Sequence, residues 1–237
     1  MRIFHIHSSG VQELTALPAQ MPAQGFLWIA CARPAFQARL AEIQGGLQAL
    51  IGLQLVDLHV SDLLNAQLPS HYDYTSQYDL LVFRRLAAGS RPTDLETPGQ
   101  PLNVAPKRGG PPILRRIDTS PVGFAVFDRV LLTVHPTDCA VRDAYAAKLL
   151  QAASNESRAA GARLPTSPAD LMLRIVNHMV DGYLALRKEL TQQLDHWQTE
   201  LLSPRTRFSN WGSLLDARMA LHQLDDICEE QRSSVQD

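Results

Sequence analysis

The sequence predicts an α/β (α+β) protein in which a mixed β-sheet is flanked by helices, as an α/β/α sandwich, and is followed by a long antiparallel helical hairpin. As far as Pro165, short apolar or alternating runs are separated by turns, which is typical of strands mixed with short helices. From Ser167 onward, apolar residues recur at every third or fourth position for about 65 residues, which is typical of long helices. We therefore expect two parts, a head over residues 1–166 and a helical hairpin over residues 167–237.

The strands of the head are predicted from short runs that alternate or are rich in β-branched and aromatic residues. These runs cover residues 2–7, 26–31, 71–78, 79–86, 113–117, 122–127 and 130–134. Asp128 and Arg129 form a tight connection, so the last two strands are expected to pair as a hairpin. Residues 89–112 are rich in glycine and proline, and we interpret them as a loop inside the sheet because strand-like sequence resumes after them.

Three helices are predicted in the head, over residues 34–51, 56–65 and 138–153. The first has Pro34 at its start and apolar residues at helical spacing, namely Phe36, Leu40, Ile43, Leu47 and Leu50. Asp138 is a plausible cap for the third helix. A polar connector, residues 154–167, then leads to the hairpin.

The first hairpin helix has a clear start, because Ser167 is an N-cap candidate, Pro168 suits the first helical position and Asp170 lies in the first turn. Pro204 ends this helix, which at about 1.5 Å per residue is roughly 50 Å long. Residues 204–210 are predicted to turn the chain. The second helix is predicted to pack through a heptad seam formed by Leu214, Ala217, Leu221, Leu224 and Cys228.

Composition excludes several classes of protein. With 45% hydrophobic residues among 237, the chain can build a substantial core, and a net charge of −2 without a basic run argues against nucleic acid as a partner. Three cysteines far apart, with no CxxC, support neither a disulfide framework nor a zinc knuckle. No secretion signal and no stretch of 18 apolar residues occurs, so we expect a soluble, reduced, intracellular piece.

The residues that could carry chemistry do not form a catalytic set. His5 and His7 share one face of a strand and could bind a metal or simply be solvated or hydrogen-bonded. Ser8, Ser9 and Cys31 lack a nucleophile elbow and a recognisable base. The glycine pairs do not form a phosphate-binding loop. We therefore expect the chain not to be an enzyme and to require no cofactor.

Metal binding is the remaining possibility, through acidic residues. An acidic cluster at helical spacing in the second hairpin helix is either a solvated face or an oxygen-only site for a hard divalent cation such as regulatory Mg²⁺. Its members are Asp225, Asp226, Glu229 and Glu230. Asp94 and Glu96, within residues 89–112, are interpreted in the same way.

Four stretches between residues 56 and 231 form an ordered set. They are Leu58-His-Val-Ser-Asp62-Leu-Leu-Asn65 with Pro69, Tyr78-Asp79 and the run LLVFRRL; Val122-Gly-Phe-Ala-Val-Phe with Val130-Leu-Leu-Thr-Val-His135-Pro136; Ser167-Pro-Ala-Asp-Leu-Met-Leu with Met179-Val-Asp181-Gly-Tyr183; and the hairpin broken at Leu202-Ser-Pro204. Together they resemble the cytoplasmic domain of the CorA family of divalent-cation channels and transporters. Their order and spacing make the match more specific than any single stretch.

The resemblance implies an α/β/α head and a helix pair that leads to a stalk helix and a membrane pore with a Gly-Met-Asn motif, all absent from this sequence. It implies self-association as a homopentamer in the full-length protein, and membrane contact only through the missing C-terminal region. It also implies intersubunit sites that bind Mg²⁺ through carboxylates, although residues 184–221 are poorer in Asp and Glu than the family's hairpin. The transported ion stays open between Mg²⁺, Zn²⁺, Co²⁺ and Ni²⁺, as does the direction of transport.

The leading hypothesis is a cytosolic regulatory and assembly domain of a CorA-like divalent metal ion transporter, with Mg²⁺ as the favoured ion. It would lie at the cytoplasmic face of the inner or plasma membrane in the full-length protein. One alternative is a soluble α/β protein-interaction module with a coiled-coil hairpin. Another is a cytosolic enzyme whose site the sequence does not reveal.

Overall fold

The computed structural model describes residues 1–86, 119–137, 140–152, 163–203 and 211–236. Within them, seven strands and six helices follow one another along the chain. They are β1 (Arg2–His7), β2 (Gly10–Leu14), β3 (Phe26–Ala32), α1 (Arg33–Ala38), α2 (Leu40–Ile51), α3 (Asp57–Leu64), β4 (His71–Tyr74), β5 (Asp79–Leu86), β6 (Thr119–Val126), β7 (Val130–His135), α4 (Ala140–Ala152), α5 (Pro168–Leu202) and α6 (Trp211–Gln236).

The strands form one mixed sheet in the order β2-β1-β3-β7-β6-β5-β4. The central pair β3 and β7 is parallel, and every other neighbouring pair is antiparallel. The two parallel strands read as nearly continuous apolar runs, FLWIACA and VLLTVH, because both of their faces are covered. The predicted hairpin of the last two head strands is confirmed as β6 and β7.

Helices cover both faces of the sheet, which confirms the predicted α/β/α sandwich. On one face, Leu27, Ile29 and Leu132 pack against Phe36 of α1, the apolar side of α2 and Leu63 of α3. The opposite face packs against α4 and the first half of α5, through a cluster that includes Phe4, Trp28, Phe83, Phe124, Tyr145, Leu171, Ile175 and Met179.

The long helices run antiparallel, so that Ala169 near the start of α5 and Gln236 at the end of α6 line the same groove. The predicted start of α5 is confirmed, since the Asp170 N–H donates to the Ser167 hydroxyl at 3.1 Å. Farther along, α5 packs against α6 through a separate cluster that includes Tyr183, Leu186, Leu190, Trp197, Ala220 and Ile227. None of the helices in the described ranges is long and apolar enough to cross a membrane.

Three elements of the head differ from the prediction. Strand β2 was not predicted; it follows β1 through a tight turn that pairs His7 with Gly10, and its outward side chains are polar. The predicted helix over residues 34–51 is divided at Arg39, whose φ of −113° and ψ of 19° interrupt the helix. The predicted strand 71–78 ends at Tyr74, because the Thr75 hydroxyl then accepts from the Gln77 and Tyr78 N–H groups in a turn.

The seam of α6 agrees only in part with the predicted heptad. Leu214 and Leu224 lie in the seam as predicted, whereas Leu221 and Cys228 are exposed, and the side chain of Ala217 lies outside the described ones. The other buried residues of the seam are Ala220, Ile227, Gln231 and Ser234. The reason is that α6 contacts both α5 and strands β4 and β5, and this double contact turns its Gln231 side inward. The predicted loop 89–112, strand 113–117, cap Asp138 and turn 204–210 lie outside the described residues.

Candidate functional site

Both hairpin helices are attached to the head at one backbone oxygen of β5. The Tyr183 hydroxyl of α5 donates to the Arg84 carbonyl at 2.7 Å, and the Gln231 amide of α6 donates to the same carbonyl at 2.8 Å. Both side chains are buried, and burial raises the pKa of Tyr183, so its phenol stays neutral and remains a donor. We call this three-residue contact the carbonyl anchor.

The carbonyl anchor exists because β4 is shorter than β5. Beyond His71, the first residue of β4, the backbone of β5 has no strand partner on that side. The Arg84 N–H therefore donates to the Ser70 hydroxyl at 3.0 Å, and its carbonyl is left for the two hairpin side chains. An exposed end of a strand thus becomes the attachment point of the hairpin.

The Arg84 side chain holds the anchor from within the head. Its guanidinium donates to the Leu68 carbonyl at 2.7 Å, to the Thr119 hydroxyl at 2.8 Å and to the Thr119 carbonyl at 2.9 Å. Arg33 lies nearby and donates to the Leu63 and Pro121 carbonyls. Burial, together with the charge of Arg84, lowers the pKa of Arg33, although an arginine remains cationic at neutral pH.

Next to the carbonyl anchor, a groove of about 700 Å³ lies between the sheet, α5 and α6. Its lining is mostly apolar and includes Leu81, Phe83, Met172 and Val176. The charged side chains in its lining already have partners within the structure. The Tyr72 hydroxyl donates to Asp79 at 3.1 Å, and Arg232 donates to Glu229 at 2.8 Å. Among the residues that the structure describes, the lining of the groove therefore lacks the convergent titratable groups that acid–base catalysis requires.

A buried chain of hydrogen bonds joins α3 to the region of β4 and β5. His59 Nδ1 lies 2.7 Å from the Tyr78 hydroxyl and Nε2 lies 3.0 Å from Asp73 Oδ2. Because the Val56 N–H donates to the Tyr78 oxygen, the tyrosine proton is directed to Nδ1 and the Nε2 proton to Asp73. The His59 hydrogen bond lowers the pKa of Asp73. Tyr78 packs on Phe127 with ring centroids 4.7 Å apart, so we assign this chain a structural role.

His135, at the end of β7, is a second buried histidine. Its Nδ1–H donates to the Pro136 carbonyl at 2.9 Å, and within the described residues Nε2 has no hydrogen-bond partner. Burial lowers the pKa of His135 to about 4, with a further contribution from the Arg142 charge. The side chain is therefore neutral at physiological pH.

The histidines and nucleophiles considered from the sequence are engaged in local contacts. His5 Nε2 lies 2.8 Å from the Gln24 carbonyl, and His7 Nδ1 lies 2.6 Å from the Ser9 hydroxyl. The two imidazole rings are 4.9 Å apart. Burial raises the pKa of Cys31 to about 11, which makes its thiol a poor nucleophile.

The acidic cluster is spread along the exposed surface of α6. Asp225, Asp226 and Glu229 are exposed, Glu230 is half-buried, and Glu229 accepts from Arg232. Across the described ranges, no three His, Cys, Asp or Glu side chains are grouped so that they could hold a metal ion. Metal binding by this cluster stays a prediction. Asp94 and Glu96 lie outside the described residues.

Sequence reasoning did not identify the carbonyl anchor, the His59 chain or the role of His135. Tyr183 and Arg84 are 99 positions apart, and Gln231 and Arg84 are 147 apart. The only signal in the sequence was Gln231, a polar residue on a helix side that otherwise carries Ala220, Leu224 and Ile227.

The structure combines a seven-stranded mixed sheet between helices with two long antiparallel helices anchored on β5. This architecture defines an α/β/α domain with a helical extension. Solved structures with this fold include that of a magnesium transporter. The full-length CmaX protein matches with a TM-score of 0.67 and 14% identity, over 98% of this chain and 61% of that chain. The CorA magnesium transporter from Methanocaldococcus jannaschii matches with a TM-score of 0.51 and 11% identity, over 100% of this chain and 72% of that chain.

The cytoplasmic domain of ZntB from Vibrio parahaemolyticus also matches, with a TM-score of 0.46 and 15% identity, over 98% of this chain and 90% of that chain. No protein-family model and no curated protein matches the sequence. At these identities the likeness is one of fold. The chain spans 61% of the length of the CmaX protein, about three fifths.

Proposed function

We propose that this chain is the cytosolic domain of a CorA-like divalent metal ion transporter and has a regulatory and structural role. The observation that carries the proposal is the agreement of fold along 98% to 100% of the chain with the CmaX protein and with a CorA magnesium transporter. Mg²⁺ is the ion we favour, because hard carboxylate oxygens are the candidate ligands. The domain lies at the cytoplasmic face of the membrane.

The carbonyl anchor supports a role in transmission. Because Tyr183 and Gln231 both bind the Arg84 carbonyl, α5 and α6 cannot tilt independently of β5 without breaking a buried hydrogen bond. A small tilt of the hairpin is thus coupled to the sheet, and packed helices commonly switch by small shifts of this kind. We propose that the domain senses ion occupancy and that small tilts of the hairpin convey its state toward the pore.

Assembly as a homopentamer completes the proposal. Exposed Asp225, Asp226 and Glu229 would be shared with acidic residues of a neighbouring copy, because one copy supplies no group of three ligands among its described residues. Mg²⁺ retains several waters and is commonly held by only one or two carboxylates, so one carboxylate from each copy would suffice. The metal would then bind only to the assembled form and stabilise it.

The reading frame beyond Asp237 tests the proposal. We expect it to encode two apolar segments of about 20 residues each, enough to cross a bilayer as helices. The longer protein, reconstituted into vesicles, should then admit Mg²⁺ more rapidly than protein-free vesicles do. A stop codon directly after Asp237, or a continuation without apolar segments, would contradict the transporter proposal.

A further inference from the structure

Arg33 and Arg84 place two guanidinium groups on the side of the sheet that α1, α2 and α3 cover. Arg33 is the first residue of α1. Arg84 lies on the same side of β5 as Leu80, which packs in the cluster beneath those helices. Both arginines are half-buried, so solvent still reaches them. We call them the arginine pair.

The two guanidiniums are close enough to act on one small ligand. Arg33 Nη2 donates to the Pro121 carbonyl at 2.8 Å, and Arg84 Nη2 donates to the Thr119 carbonyl at 2.9 Å. These carbonyls are two residues apart on β6, which is about 7 Å along a strand. An oxyanion held between two guanidiniums, with N···O distances of about 2.8 Å on each side, spans a similar separation.

Neither guanidinium has a carboxylate partner among the described residues. The acidic side chain of Asp62, at the end of α3, lies 3.9 Å from His71 instead. Burial and the charge of Arg84 lower the pKa of Arg33, which indicates that two like charges are held together away from water. The partners of the arginine pair are all neutral, namely the carbonyls of Leu63, Leu68, Thr119 and Pro121 and the hydroxyl of Thr119.

The arginine pair also has hydrogen-bond donors to spare. An arginine has five N–H groups. Arg33 uses two of them within the described structure and Arg84 uses three, so three and two are left. Charges removed from water are generally paired, and the free N–H groups of a guanidinium fit oxyanions best. The arrangement therefore favours a bound anion.

We propose that the arginine pair binds a dianionic phosphate group, either as inorganic phosphate or as part of a phosphate monoester. Two fixed positive charges match a dianion, whereas a carboxylate brings only one charge, and guanidinium forks fit phosphate oxygens. The anion would also restrain β5 at the carbonyl anchor, because the Arg84 carbonyl holds the hairpin. The inference goes beyond the proposed function, since it concerns neither a metal ion nor a pore.

A purely structural role of the arginine pair leads to a different expectation. Carbonyl oxygens carry only partial charges, so they satisfy N–H groups without neutralising a guanidinium. If holding carbonyls were the only role, phosphate would act on the protein as chloride does at the same ionic strength. A phosphate site instead saturates at one anion per chain.

Calorimetric titration of the 237-residue chain with sodium phosphate tests the inference. The titration is run at about pH 7.5, where phosphate is mostly a dianion, with the ionic strength held constant by sodium chloride. We expect one phosphate per chain, with a dissociation constant on the order of 1 mM. Phosphate should also raise the melting temperature above its value in sodium chloride of the same ionic strength.

The test variant is Arg33→Gln, which removes one charge but keeps an amide that can donate to a carbonyl. It should weaken phosphate binding by on the order of tenfold. The matched control is Arg187→Gln, which removes the charge of an exposed arginine on α5 and should bind phosphate as the parent chain does.

Three results would overturn the inference: no effect of phosphate beyond that of chloride, undiminished binding by Arg33→Gln, or an equal loss of binding in Arg187→Gln. If circular dichroism shows that Arg33→Gln does not fold, Arg33→Lys takes its place. Lysine keeps the charge but lacks the guanidinium fork, so this variant should bind phosphate several-fold more weakly. Undiminished affinity of Arg33→Lys would then overturn the inference as well.

Discussion

His135 is held in its neutral form by its position at the end of β7. Its side chain is 1% exposed, and among the described residues only Nδ1 has a hydrogen-bond partner, the Pro136 carbonyl. A proton added to Nε2 would be buried without a hydrogen-bond acceptor among the described residues and near the charge of Arg142. These are the reasons why the pKa of His135 falls to about 4.

Acid should therefore destabilise the fold through His135. The folded-state pKa of about 4 lies below the unfolded value of about 6.5. The contribution of the neutral His135 to the free energy of unfolding is therefore complete above pH 6.5 and is lost as the pH falls toward 4. We expect His135 to account for about 2 kcal/mol of lost unfolding free energy between pH 7 and pH 5, measured by urea denaturation.

The variant His135→Asn should have a flatter stability profile over that range, since asparagine does not titrate. His222→Asn, which replaces an exposed histidine, should retain the slope of the parent chain. Equal slopes for the parent and for His135→Asn would show that the histidine is not responsible.

Among the helices and strands, the carbonyl anchor joins three elements at one atom. A carbonyl oxygen has two lone pairs, and the Arg84 oxygen uses them for α5 and α6. Loss of one donor leaves one hydrogen bond in place, whereas loss of both leaves a buried oxygen without either bond. The two donors should therefore not behave independently.

A double-mutant cycle measures this coupling. Tyr183→Phe and Gln231→Met should each cost about 1 kcal/mol of unfolding free energy. The double variant should cost more than the sum, by at least about 0.5 kcal/mol, because only then is the carbonyl unsatisfied. Tyr72→Phe removes a hydrogen bond to Asp79 at the exposed edge of the sheet. It should change the free energy of unfolding by only a few tenths of a kcal/mol. Strict additivity of the two anchor substitutions would contradict this description.

Sequence patterns predicted elements well where the deciding interactions are local. The start of α5 follows from Ser167, Pro168 and Asp170, which act within one helical turn, and it was predicted correctly. The seam of α6 was predicted correctly at Leu214 and Leu224 but not at Leu221 and Cys228, because apolar residues occur on two sides of that helix. Contact with β4 and β5, remote in the sequence, decides which side is buried.

For the whole molecule, assembly and metal binding should be linked. Mg²⁺ shared between copies binds the assembled domain and stabilises it by about 1.4 to 2.7 kcal/mol at 10 to 100 times its dissociation constant. We therefore expect millimolar Mg²⁺ to raise both the melting temperature and the mass in sedimentation equilibrium.

Neutralisation of the acidic cluster should abolish the Mg²⁺ effect. The test variant carries Asp225→Asn, Asp226→Asn, Glu229→Gln and Glu230→Gln. A control variant carries four substitutions of exposed acids elsewhere, Asp57→Asn, Asp181→Asn, Glu189→Gln and Asp195→Asn. If the control loses the response as fully as the test variant, the effect is one of net charge and the cluster is not the site.

At the scale of the whole molecule, the sandwich and the hairpin could be predicted, because hydrophobic periodicity and turns are local properties of the sequence. The candidate site was not, since its contacts join Arg84 to Tyr183 and Gln231 across most of the chain. The His59 chain was equally hidden, because Tyr78 and Asp73 reach it only after β4 and β5 have paired.

The parallel pairing of β3 with β7 has a consequence for synthesis on the ribosome. Trp28 and its hydrogen-bond partner Thr133 are 105 positions apart, so the half-sheet β2-β1-β3 emerges long before its neighbour. At a synthesis rate of about 5–20 residues per second, β3 therefore waits roughly 5–20 s for β7, with one of its edges unpaired. The nascent chain is therefore most open to chaperones, and to pairing with other chains, during this interval.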